Sequence, residues 1–345
     1  MATIHEIAKR AGVSIGTVDR VLHNRGRVKE DTKLKIEKAM DDLGYKPNKV
    51  AQGLAVRKKK LKFLFMITKT KYNPFFKDVK ESAVKKAKEL EAYGVKTDII
   101  TYPENADEEK VLMERLKKKI GDYDGACIMS RVSKINKLIL DRSKKDKMPV
   151  VYYNTRDDKN SAFSYVGCDY VAAGKMAAGL CALLAGKDAN VCIFSEENDI
   201  KESHVKRLEG FKEEIKEKYP TMNILAEYNI TGDRQKDKKS VDDMMKLNGE
   251  NKIVYIINPR DYGICKIIGM KDKERKIPII TNDLVEVQYE LFEKGIISAT
   301  ICQEPEKQGD MPLGILFDYF AYGKNPEPVN YTKLEIKISQ SLYTS

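Results

Sequence analysis

The chain has 345 residues, 42% of them hydrophobic and 33% charged, with 63 Lys plus Arg against 52 Asp plus Glu and a net charge of +11. This composition can fill two or three domain cores, and it excludes a fibrous or membrane-embedded protein, since no apolar run nears the ~18 residues of a spanning helix. The charge surplus is uneven: residues 1–60 hold 15 Lys/Arg and 7 Asp/Glu, whereas the rest hold 48 and 45. A small basic module ahead of a nearly neutral body suggests nucleic-acid binding joined to a second task.

In chain order, Thr3 can cap a first helix whose apolar positions Ile4, Ile7, Ala8 and Ala11 share one face. Gly12 breaks it. Ser14 can cap a second helix with Ile15, Val18, Val21 and Leu22 inward. Two short helices joined by a Gly-containing turn form a helix-turn-helix, whose second helix enters the major groove. A third helix is expected over about residues 30–43, carrying Leu34, Ile36, Ala39, Met40 and Leu43 and stopped by Gly44. Asn48 can cap a short helix through Ala55, followed by the run Arg57-Lys58-Lys59-Lys60. A helix below ~12 residues is marginal in water, and Gly53 weakens this one further, so DNA and a partner's copy are expected to hold it.

Residues 3–60 resemble the headpiece of the LacI family of bacterial transcription regulators. The likeness rests on Ile7-Ala8-Lys9-Arg10-Ala11-Gly12-Val13-Ser14, Thr17-Val18, Arg20-Val21-Leu22 and Gly44-Tyr45-Lys46-Pro47-Asn48. The resemblance implies that Ile15, Gly16 and Arg20 face base edges and that Thr3, Ser14, Thr17 and Asn24 approach phosphates. It also implies that the helix begun by Asn48 lies on the DNA and that Leu54 is a wedge into the minor groove, which kinks a duplex. Asp19 stands where the family usually has Ser, and Gly16 offers no side chain for reading. Arg20 is then the expected specific contact, bidentate to a guanine.

From Leu61 onward, short apolar runs alternate with amphipathic stretches, the pattern of parallel sheets covered by helices. Strands are expected at 61–67, 96–102, 125–130, 150–154 and 165–167, and again at 190–195, 224–228, 253–258, 277–282 and 298–303. The fold class expected is a small all-α helix-turn-helix domain plus α/β, with two doubly wound parallel-sheet lobes. The body resembles the type I periplasmic sugar-binding fold that the LacI family joins to its headpiece. That likeness divides the chain into a headpiece at 1–47, a hinge helix and linker at 48–60, and an effector-binding and dimerisation domain at 61–345. Crossings between lobes are expected near 168, 303 and 325. The first lobe then comprises about 61–167 and 303–324, and the second about 168–302 and 325–345.

Ligands of such folds bind beyond the carboxyl ends of the strands. Asn73-Pro74-Phe75-Phe76 follows the first strand; Asn73 offers an amide, and the rings of Phe75 and Phe76 can stack on a sugar or staple the helix to the core. Arg207, expected on the first helix of the second lobe, has a fork suited to paired hydroxyls or a carboxylate, although most arginines are surface charges. The family places its ligand arginine there, and the resemblance gives Asn154, Asn258, Asp283 and Gln303 effector contacts. Asn154 replaces the family's usual Asp. Asp169 and Gly174 read as a helix cap and a close-packing glycine.

Catalytic and cofactor motifs fail. Gly12-Val13-Ser14-Ile15-Gly16 fits a nucleophile elbow, but a helix rather than a strand precedes it. His5-Glu6 lacks a second His four residues on, and no metal cluster or Gly-rich phosphate loop occurs. The six Cys include no Cys-x-x-Cys pair and read as reduced, buried thiols. The opening Met1–Glu6 lacks the order of a signal peptide, so a cytoplasmic location is expected. The expectation is a regulator, not an enzyme, without cofactor, metal or membrane, that binds palindromic operator DNA as a homodimer. A small ligand, a sugar or sugar derivative, controls it and repression is its commoner outcome; no terminal leucine heptad favours a tetramer. A transport-type binding protein is the alternative, sharing the body but needing a signal peptide.

Overall fold

The computed structural model describes residues 2–22, 28–45, 57–69, 74–157, 163–196, 202–258 and 262–342. Among the described residues no helix is long and apolar enough to cross a membrane. The amino-terminal helices are α1 (Ile4–Ala11), α2 (Ile15–Leu22) and α3 (Glu30–Asp42). Thr3 and Glu6 form a reciprocal cap on α1: the Thr3 backbone N–H donates to Glu6 Oε2 at 2.7 Å, and the Glu6 N–H donates to Thr3 Oγ1 at 3.3 Å. Gly12 turns the chain at φ +66°. Ile7, Ala8, Val18, Ile36 and Ala39 are buried together as the core of this unit. Ile15, expected inward, is 44% exposed, and Leu34 is 57% exposed. Val18 fills the space between the helices, and Ile15, three positions earlier at the first turn of α2, is turned to solvent.

The body holds two six-stranded sheets, with strands β1 (Lys62–Ile67), β2 (Lys96–Thr101), β3 (Gly125–Ile128), β4 (Val150–Tyr153), β5 (Ser164–Gly167) and β11 (Val329–Tyr331) in the first. Their order is β11-β5-β4-β3-β1-β2, and every pairing is parallel. The second sheet contains β6 (Asn190–Glu196), β7 (Asn223–Ile230), β8 (Lys252–Ile256), β9 (Ile279–Asn282), β10 (Ala299–Cys302) and β12 (Glu335–Lys337), in the order β12-β10-β9-β8-β6-β7. Among the described residues of this sheet, β12 runs antiparallel against β10 and the other pairings are parallel. The run Phe63-Leu64-Phe65-Met66-Ile67 is buried on both faces, as a central parallel strand requires. Phe63, Phe65 and Ile67 pack beneath α4 (Phe75–Glu91) and α12 (Pro305–Tyr322), whereas Leu64 and Met66 pack with Leu116 of α5 (Ala106–Lys119) and Ile135 of α6 (Lys134–Asp146) on the opposite face.

The chain leaves the first sheet after Gly167, returns to it along α12 after Cys302, and crosses last between Tyr331 and Glu335. This last passage replaces the crossing expected near 325. Residues 329–331 pair with β5 and so belong to the first lobe. Strands of three residues have no periodicity to read, and Pro328, whose carbonyl accepts from the Tyr165 N–H at 3.0 Å, carries the chain into the pairing.

Helices α7 (Tyr170–Ala185) and α8 (Glu202–Lys218) cover one face of the second sheet together with α9 (Arg234–Lys246), α10 (Gly263–Lys271) and α11 (Glu286–Glu293) elsewhere around it. Arg207 therefore lies on the second helix of its lobe rather than the first. Asp169 caps α7 through the Ala172 N–H at 3.0 Å. A Cβ on Gly174 would lie 2.0 Å from the Arg207 carbonyl oxygen, so α7 and α8 touch backbone to backbone directly behind that arginine. No disulfide joins any of the six cysteines, and five of them are buried.

Candidate functional site

The candidate residues form two sets, one in the amino-terminal unit and one in the body. In the amino-terminal unit, Thr3, Ser14, Ile15, Gly16 and Arg20 are exposed, and Thr17 is half-buried. Gly16 and Arg20 stand four apart, on one face of α2. The Ser14 hydroxyl accepts from the Thr17 N–H at 3.2 Å and lies 2.9 Å from the Thr17 hydroxyl, so both hydroxyls gather at the start of α2, where a helix favours phosphate. A Cβ on Gly16 would meet only Ser14 Oγ, at 3.8 Å, which leaves that point of the helix open for close approach to a partner. Arg10 on α1 bonds Asp42 on α3 at 3.2 Å, an exposed pair that ties the helices behind α2. Asn24, Asn48 and Leu54 lie outside the described residues.

The second set gathers where strands of both sheets end. Asn154 follows β4, Asp283 follows β9, Gln303 follows β10, and Asn258 lies just beyond β8. Asn154 and Asp283 adopt φ +59° and +66°, with Tyr262 at +62° and Glu304 at +49° close by. Left-handed backbone at non-glycine residues is costly and concentrates at binding sites. A directed chain of side-chain amides joins three of the candidates. Asn154 Nδ2 donates to Gln308 Oε1 at 3.0 Å, Gln308 Nε2 donates to Gln303 Oε1 at 3.2 Å, and Gln303 Nε2 donates to Asp283 Oδ1 at 2.6 Å. The carboxylate, an acceptor only, sets the direction of all three bonds.

Arg207 is 4% exposed, with its guanidinium carbon 5.0 Å over the Tyr170 ring. Among the described residues, its Nε meets no hydrogen-bond acceptor. Burial works against its charge, but Asp283 and the surrounding thiol and phenol groups hold its pKa above the ordinary value. Burial raises the Asp283 carboxyl pKa, opposed by Arg207 and by the Gln303 bond, with a net shift upward. A buried guanidinium with an uncommitted N–H beside a carboxylate offers donors and an acceptor to a polyhydroxyl ligand. Asn258 donates to Glu196 Oε2 at 3.1 Å. Phe75 and Phe76 meet edge to face at 5.3 Å and are 3% and 6% exposed, so both rings sit in the core and present little area to a ligand. Asn73 lies outside the described residues.

The lobes also touch away from the amide chain, where the Tyr170 hydroxyl on α7 donates to the Asn154 carbonyl at 2.8 Å. Glu202 on α8 accepts the Arg156 N–H across from β4 at 3.0 Å, and Lys77 on α4 pairs with Glu286 on α11 at 3.7 Å. Arg156, with its guanidinium carbon 5.0 Å over the Tyr165 ring, and Gln308 were missed by sequence reasoning. Arg156 sits two residues past a predicted strand, a position that would have marked it. Nothing in the sequence separates Gln308 from other polar positions of an amphipathic helix.

Protonation of Asp283 would remove its acceptor. Because its pKa lies above the ordinary carboxylate range, ligand affinity should be complete above that pKa and fall as pH drops through it. The loss should begin at higher pH than titration of the exposed aspartates. A pH series of ligand titrations checks this, and Asp283→Asn should flatten that part of the profile.

Residues 3–48 match the bacterial regulatory proteins of the lacI family, and residues 64–325 match a periplasmic binding protein domain. Catabolite control protein A of Priestia megaterium is 25% identical over 290 residues, spanning 84% of this chain and 82% of the relative. The sucrose operon repressor of Streptococcus mutans is 31% identical over 198 residues, 54% of this chain and 57% of the relative. In structure, GanP, a glucose-galactose binding protein from Geobacillus stearothermophilus, superposes with a TM-score of 0.69 at 22% identity, over 82% of this chain and 99% of that one. At that identity the likeness concerns the fold alone.

Proposed function

Because the chain belongs to the lacI family of bacterial regulatory proteins, with a periplasmic binding protein domain as its body, we propose that it is a cytoplasmic repressor that binds a near-palindromic operator as a homodimer. A sugar or sugar derivative in the cleft between the lobes sets its affinity for DNA. Residues 1–47 read DNA, 48–60 couple, and the body from 61 senses ligand and dimerises. What carries the effector half is Arg207, a buried cation near Asp283 whose Nε–H meets no acceptor among the described residues. Donors from Arg207 and acceptors from Asp283 suit vicinal hydroxyls. Asn154 and Asn258 supply neutral groups of either kind. The DNA half draws on the exposed face of α2. Ile15, Gly16 and Arg20 read base edges; Thr3, Ser14, Thr17 and Asn24 hold phosphates and give salt-dependent affinity.

Leu54, in the coupling segment begun by Asn48, is the minor-groove wedge. A Leu54→Ala variant should bend operator DNA less than the parent in a circular-permutation assay while still contacting the same base pairs. An unaltered bend would remove Leu54 from that role. The reading as a whole is tested by selecting duplexes from a random pool with the full chain and by screening neutral sugars, sugar acids and phosphosugars for thermal stabilisation. Enrichment of a palindrome, together with a sugar that stabilises the parent and not Arg207→Ala, is the expected result. A pool without enrichment, or stabilisation indifferent to Arg207, would refute the corresponding half.

A further inference from the structure

Helix α12 has one end in the cleft and the other at the linker. At its start, Gln308 is fully buried; its Nε2 donates to the Gln303 carbonyl at 3.0 Å as well as to the Gln303 side chain, and its Oε1 accepts from Asn154. Gln303 in turn donates to Asp283 of the second lobe. At its far end, the Phe320 carbonyl accepts from Lys59 Nζ at 2.8 Å. The Phe317 ring lies 5.1 Å from Tyr93. Gly94, next to Tyr93, has φ +77°, and a Cβ there would meet Arg57 Cγ at 2.9 Å and Arg57 Cα at 3.1 Å. The linker backbone therefore rests on the turn after α4, and that turn rests on α12. Lys60, the residue that leads from this seat into β1, is held at φ +50°.

From these contacts we propose that α12 is a strut that transmits the state of the cleft to the linker, with Gln308 as the positioning residue at the cleft end and the Tyr93–Gly94 turn as the seat at the other. The inference rests on the regulator reading above. Eighteen residues at ~1.5 Å each span roughly 27 Å, and a packed helix moves as one body. It also cannot slide freely along α4: a Cβ on Gly309 would lie 2.2 Å from the Val79 carbonyl oxygen, so the two backbones are in contact. Any change in the lobe angle pulls on Gln303 through Asp283. The pull passes through Gln308 to the helix, and it arrives at Phe317 and Phe320, where Tyr93, Arg57 and Lys59 sit. The linker's grip on the body is thus tied to the hydrogen bonds of the cleft floor.

Hydrogen exchange on the full chain, with neither DNA nor sugar present, tests the strut. The Tyr93, Gly94 and Val95 amides are bonded to Leu90, Glu91 and Leu90 carbonyls and report on the seat. Gln308→Ala should speed their exchange at least about fivefold, the lower end of ordinary coupling between sites. The amides of α5, on the opposite face of the sheet, should be unchanged, as should the seat in Lys307→Ala, which alters the exposed side of α12. Coupling is reciprocal, so Gly94→Ala at the seat should speed exchange of the Asn154 amide, which donates to Val166. Should Gln308→Ala unfold the lobe, Gln308→Glu, which keeps the size and loses the donor to Gln303, is read by the same criterion. Acceleration confined to residues near 154 and 303–308, with the seat unmoved, overturns the strut and leaves the regulator reading intact. Failure of the full chain to select any duplex would refute the regulator reading and leave the strut untouched.

Discussion

Arg207→Ala is expected to weaken sugar binding by about 30-fold to more than a thousandfold, the range set by removing one partner of a buried, hydrogen-bonded charge. The chain should remain folded and still bind DNA. The magnitude follows from the site: the guanidinium is almost fully enclosed, stacked on Tyr170, and its Nε is uncommitted among the described residues. In water, a ligand hydroxyl gains little from one more donor; in this enclosure the same bond is not screened. Arg207→Lys keeps the charge but loses the planar fork, so it should bind more weakly than the parent and more tightly than Ala. In Arg207→Ala, Asp283 also loses the cation that opposes burial, so its carboxyl should titrate at still higher pH. Titration calorimetry with a sugar from the thermal screen decides the matter. Parent-like affinity in Arg207→Ala would place the effector elsewhere.

Arg20→Ala should cost about 1–3 kcal/mol of discrimination at one base pair, equivalent to about 5- to 150-fold, while binding to random duplex changes little. Arg20 is exposed on α2 on the same face as Gly16, which has no side chain to compete for the groove. One long, forked donor beside an open stretch of helix is the reason the proposal gives Arg20 the base-reading role on that face. Competition binding against the selected operator and against variants changed at single base pairs measures the effect. If preference survives at every position, Arg20 is a phosphate contact and specificity lies elsewhere.

Much of this architecture is visible in the sequence because its signals are long or chemically sharp. The run Phe63–Ile67 can be little else than a central strand, and Thr3 with Glu6 three residues on announces a capped helix start. Glycines 12 and 174 are forced, one by a positive φ and one by helix contact. Legibility fails where elements are short or where contacts join distant segments. Val329–Tyr331 and Glu335–Lys337 are three-residue strands, defined by pairing with β5 and β10 and not by any pattern of their own. The last crossing therefore falls between Tyr331 and Glu335, and not near 325 where the pattern puts it. Ile15 has the residue type of a core position, and only the geometry around Val18 turns it outward. In the cleft, the strand-end residues Asn154, Asp283 and Gln303 were readable because ends of strands can be predicted. Gln308 acquires its place from bonds to residues 154 positions upstream and five positions upstream, and no local signal records the first. Phe75 and Phe76 carry the opposite lesson: aromatic rings after a first strand invite a stacking role, yet both are taken up by the core.

The account depends on linkage between the cleft and the DNA-reading face. Its most direct test is a pair of titrations on the whole 345-residue chain: operator affinity with and without saturating sugar, and sugar affinity with and without saturating operator. The account predicts that the two ratios are equal and differ from one by about 5- to 150-fold, and that Arg207→Ala brings both to one. Operator affinity that stays the same when the cleft is saturated would contradict it.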